Sequence, residues 1–133
     1  MSALAPRQNG YMNATRSVGM PRDVEYQLFA RVTGQINMAL SGEGGFPDLA
    51  EALHQNFILW QTIAFDVMDE DNALPPALRA QLFYLYEFTR AHTQKVLRKE
   101  ADASALIEVN TSIMRGLRTN NGAAEKGSEK CPA

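Results

Sequence analysis

Glu51 and His54 stand three residues apart, a Glu-x-x-His pair whose side chains share one face when the chain is helical. Carboxylate-bridged di-metal bundles use this spacing, but they need two such pairs and further glutamates projecting inward. Here the set is half present, because His92 has Thr89, not an acid, three residues before it. No metal is expected, and Glu51 and His54 read as a surface pair. Covalent chemistry has no better basis: no histidine is matched to a serine or cysteine nucleophile, and there is no Cys-x-x-Cys and no glycine-rich loop between a strand and a helix. His92 reads as a boundary histidine and Cys131, the one cysteine, as an incidental thiol. Catalytic residues and cofactors are therefore both expected to be none, and the chain is not expected to be an enzyme.

Arg90, Lys95, Arg98 and Lys99 form a basic run, the other grouping with chemical potential. Phosphate recognition draws on a broad positive field, whereas this chain carries a formal net charge of −2. The run suits the negative end of a helix, so DNA is not an expected partner and direct RNA binding is the weaker alternative. A lone cysteine cannot form an internal disulfide, which fits a reducing cytoplasm. No apolar stretch has the length to span a bilayer, and the first residues lack a signal-like apolar run, so neither membrane insertion nor secretion is expected.

Positioning falls to four helices. Pro21 to Ser41 repeats apolar residues at three- and four-residue steps through Leu28, Val32 and Ile36, and "SGEGG" ends it. Pro47 or Asp48 to Met68 carries Leu53 and Trp60 on its main stripe. "DEDNALPP" breaks the chain, and residues 75 to 99 follow with Leu82 and Leu85 facing inward. Asp102 can cap the last helix, which ends near Arg118 and bears Ile113 and Leu117. The expected fold is all-α, a four-helix-bundle-like domain over 21–118. Residues 1–20 form a flexible arm and the polar, glycine- and lysine-rich residues 119–133 a disordered tail.

Two features of the pattern ask for an explanation. Asn56 and Asn110 interrupt apolar stripes, where an unpartnered buried amide costs on the order of 1–3 kcal/mol. They are expected to hydrogen-bond within the fold, across the second and fourth helices, and to fix register; bonding to a partner protein is the alternative. Ile58 and Phe65, with Phe83 and Tyr84 from "FYLYEF", lie off the inner stripes. They are expected either to line a groove for an amphipathic partner helix or to be covered by the segment around Tyr11 and Met12.

"PRDVEYQLFARVTGQI", "LAEALHQNFILWQTIAFDV", "LPPALRAQL" and "LIEVNTSIMRGL", in this order, resemble the flagellar biosynthesis regulator FlaF family of alphaproteobacteria. The resemblance covers about residues 11 to 117, and Arg22, Glu25, Asn56, Trp60, Arg79, Glu108, Asn110 and Met114 occupy recurrent positions of the family. It implies a cytoplasmic, non-enzymatic helical protein that promotes flagellin synthesis and secretion. Flagellin is the implied partner, held by a chaperone-like groove, and the regulator FlbT is a second. The alternative is a post-transcriptional regulator of flagellin messenger RNA, acting directly or through FlbT. No transferable site comes with the resemblance.

Overall fold

The computed structural model describes residues 22–125, which form four helices: α1 (Arg22–Ser41), α2 (Gly45–Met68), α3 (Pro76–Leu97) and α4 (Ser104–Glu125). Among the described residues there is no strand. The expected arm, residues 1–20, and residues 126–133 of the expected tail lie outside this range. α4 continues to Glu125 instead of stopping near Arg118.

Each break has a local cause. Gly45 opens α2 with φ of +73°, a conformation that costs glycine little, and a side chain at Gly44 would occupy the space of the Asp48 carboxylate. At the far end of α2 the exposed carbonyls are taken by Arg79 of α3. Its Nε donates to the Val67 carbonyl at 2.9 Å and its Nη2 to that of Asp69 at 3.0 Å. A guanidinium at a helix C-terminus satisfies orphan carbonyls and complements the dipole. Pro75 and Pro76 then start α3, where a missing N–H costs nothing. α3 closes through Lys99 at φ of +65°, with the Lys99 N–H on the Val96 carbonyl and the Glu100 N–H on that of Lys95. The Lys99 ammonium lies 4.9 Å from the centre of the Phe46 ring. Asp102 accepts from the Ser104 N–H at 2.9 Å and the Ser104 hydroxyl at 2.6 Å, just ahead of α4. The Ser104 hydroxyl, then its N–H, hold the Asp102 carboxyl below the ordinary aspartate range, with a smaller contribution from His92.

α1 packs between α2 and α4, and α3 packs mainly on α2 with a smaller contact to α4. The core has two apolar layers. One holds Phe29, Val32, Leu59, Trp60, Ile63 and Val67, the other Ile36, Ala52, Leu53, Val96, Ala103 and Leu106. Phe29 meets Trp60 edge to face at 5.5 Å, while Ile36, two turns further along α1, shares its layer with Leu53. That order runs α1 and α2 antiparallel. Leu28, Leu82, Leu85, Ile113 and Leu117 pack against the first layer but are only partly buried, whereas Val32, Ile36, Leu53 and Trp60 are fully enclosed.

Candidate functional site

Every helix contributes buried polar residues: Thr33 from α1, Asn56 from α2, Thr89 and Thr93 from α3 and Asn110 from α4. Asn110 is the hub. Its amide nitrogen donates to Asn56 Oδ1 at 2.7 Å and to Thr33 Oγ1 at 3.0 Å, and its oxygen accepts from Trp60 Nε1 at 2.9 Å. Thr33 Oγ1 in turn approaches Met114 Sδ at 4.0 Å, a weak acceptor. Asn110 thus spends both amide hydrogens and its carbonyl inside the bundle, and nothing of it remains for an outside ligand. Asn56 Nδ2 and Thr89 Oγ1 are also buried, without a partner. The sequence-based expectations do not place Thr33 or Thr89 in the core. Threonine is as common on a wet face as on a dry one, so its type carries little signal.

The outward face of α2 and α3 is different. Phe65 and Tyr84 are 64% and 65% exposed and Ile58 is 40% exposed, so three of the four residues singled out for partner binding reach solvent. Phe83 does not join them fully. It packs against the first apolar layer, 5.6 Å from the Tyr86 ring, which meets Phe57 of α2 at 6.0 Å. Phe57, Tyr86 and Phe83 form an aromatic seam between α2 and α3, and one residue of error in helix rotation separates that position from a projecting one. Met68 at the end of α2 adds to the exposed apolar surface.

Beside this seam lies a cleft of about 150 Å³ walled by Ala50, Phe57 and Leu97 and rimmed by His54, Arg90 and Gln94. Thr93 forms part of its lining; the residue is buried and its hydroxyl has no hydrogen-bond partner. His54 stands at the rim of this cleft. Glu51 is engaged by Gln55 Nε2 at 3.0 Å, and the described residues hold no group of three or more His, Cys, Asp or Glu side chains able to bind a metal. His92 stacks on Phe88 at 5.2 Å and its Nε2 lies 3.0 Å from the Asp102 carbonyl, joining α3 to the start of α4. Cys131 lies outside the described residues.

Two of the four residues of the basic run, Arg98 and Lys99, have local tasks. Arg98 forms an ion pair with Glu100 at 3.1 Å, in which each partner favours the other's charged form. Lys99 covers Phe46. Arg90 alone of these rims the cleft, and among the described residues it has no hydrogen-bonded or ionic partner. No helix of the described residues is long and apolar enough to cross a membrane.

Comparison with known proteins adds one finding. The family model described as flagellar protein FlaF matches residues 7–117, a span that takes in α1, α2, α3 and most of α4. No curated protein and no solved structure gives a significant match.

Proposed function

The chain belongs to the FlaF family of flagellar proteins, and from that premise we propose that it binds flagellin in the cytoplasm as a chaperone and so promotes flagellin synthesis and secretion, without catalysing a reaction. The observation that carries this reading is the contrast within α2. Its inner face is closed by Leu53, Trp60, Ile63 and Val67, yet Ile58 and Phe65 stand in solvent, as does Tyr84 of α3. Large apolar side chains exposed on a small domain with a filled core favour a contact surface over unfinished packing. Flagellin segments that order only on assembly form amphipathic helices, and an apolar surface between two helices is a suitable receiver for one. Phe57, Tyr86 and the half-buried Phe83 form an aromatic seam between the two helices, and Ile58 and Tyr84 each directly follow one of its members in the chain.

Direct regulation of flagellin messenger RNA has less support, because Arg98 and Lys99 are engaged locally and the chain carries a formal net charge of −2. Action through FlbT stays compatible with the same exposed face. The deciding experiment is size-exclusion chromatography with light scattering on the protein mixed with monomeric flagellin. A stable complex is expected, and it should be lost in Phe65→Ser/Tyr84→Ser protein whose unfolding midpoint is unchanged. Absence of any flagellin complex, with FlbT or flagellin messenger RNA bound instead, would sink the chaperone reading.

A further inference from the structure

We propose that the cleft between α2 and α3 is a seat for one carboxylate, supplied by an acidic side chain of the protein segment that lies along the aromatic seam. The identity of that segment rests on the flagellin-binding reading; the chemistry of the cleft does not. Size comes first. Pockets for whole small molecules run from roughly 300 Å³ upward, whereas this cleft holds about 150 Å³, room for a side chain. Its walls are apolar and its one permanently charged group is Arg90, which lacks a partner among the described residues. A guanidinium presents a planar fork that matches a carboxylate, and Arg90 holds it at the exposed rim of the cleft. His54 and Gln94 add donors on either helix.

Competing acids are weakly placed. Glu51 and Glu87 each lie one turn along from the cleft residues, both are exposed, and Glu51 is already engaged by Gln55. Neither supplies Arg90 with an ion pair. Beneath the rim, the Thr93 hydroxyl is shut off from solvent and unpartnered, a costly state for a polar group. Threonine in a helix has two accessible χ1 positions, so turning its side chain toward an incoming carboxylate supplies the acceptor that it lacks. A phosphate is the poorer fit, since one unpaired arginine midway along a helix offers neither a second cation nor a helix N-terminus.

Spacing gives the seat a register. Phe83 precedes Arg90 by two helical turns on the same row, about 10 Å along the axis. A helical segment that rests an apolar residue on the Phe83–Tyr86 seam therefore meets Arg90 with an acid seven positions away.

Nuclear magnetic resonance of the full ¹⁵N-labelled chain tests this with glutamate blocked at both ends, its blocked glutamine analogue and acetate. Blocked glutamate should shift the Arg90 side-chain N–H and the amides of His54, Thr93 and Gln94. Blocked glutamine should not, and Arg90→Gln should abolish the response. No shift, equal shifts with the glutamine analogue, or a response that survives Arg90→Gln overturns the proposal. Acetate matching blocked glutamate at equal concentration would assign the cleft to a free small carboxylate and overturn the side-chain seat. Arg90→Gln should also weaken flagellin binding roughly three- to ten-fold. A glutamate response without a flagellin complex removes the flagellin reading and keeps the seat. An intact flagellin complex without a glutamate response does the reverse.

Discussion

Two regions of the bundle place polar groups on apolar ground and differ in how far those groups are matched. In the layer around Asn110, amide, hydroxyl and indole are matched to one another within 2.7–3.0 Å. In the α2–α3 cleft, Thr93 has a hydroxyl without a partner and Arg90 a guanidinium without a counter-ion among the described residues. The first arrangement ties α1, α2 and α4 to a single register, because sliding any one helix strands several groups together. The second stabilises nothing in the free protein. Polar groups that satisfy each other build the fold; an unmatched hydroxyl and guanidinium that line a cleft leave something for a ligand to add, whereas Asn56 Nδ2 and Thr89 Oγ1, also unmatched, do not line it.

Asn110→Leu should break the contrast most strongly. It removes the acceptor of the Trp60 N–H and the donor to Asn56 and Thr33, for an expected loss of about 3 kcal/mol in urea unfolding. Asn56→Leu should cost less, since Asn56 contributes one bond and already carries an unpartnered Nδ2. Reversal of that order would show that Asn110 is not the hub. In the cleft the sign should change. Thr93→Val keeps shape and helix propensity while deleting the unpartnered hydroxyl, so stability should hold or rise by about 1 kcal/mol; a clear loss would mean that the hydroxyl is satisfied after all.

The smallest effect belongs to the start of α4, away from both regions. Asp102 has its folded pKa lowered by Ser104, so its contribution is present above the ordinary aspartate value and fades as pH falls through the lower folded one. Thermal melts of Asp102→Ala against the unaltered protein should differ slightly at neutral pH and converge in acid. A gap that persists in acid would point to packing, not charge.

Much of the architecture is legible before any tertiary information. Apolar residues at three- and four-residue steps mark four helices, and "SGEGG" and "DEDNALPP" mark two of the breaks, because helix periodicity and turn chemistry are local properties. Asn56 and Asn110 stand out for a related reason: an amide on an apolar stripe violates the local pattern. Arg79 is different. It interrupts no periodicity of α3, yet it caps α2 from twelve residues away. A long side chain of that type fits a solvated face equally well, so only the packing of two helices reveals its task.

What the sequence determined by itself is thus an all-helical chain, the approximate ends of its elements, and the amides that its apolar stripes must explain. The partners of those amides, the inward turn of Phe83, the unmatched state of Thr93 and the gathering of His54 and Arg90 at one cleft were decided by tertiary structure. The physical reason is rotational. A helix buries whichever arc its neighbours cover, and a change of one residue, about 100° around the axis, moves a side chain from seam to solvent without altering the periodicity that announced the helix.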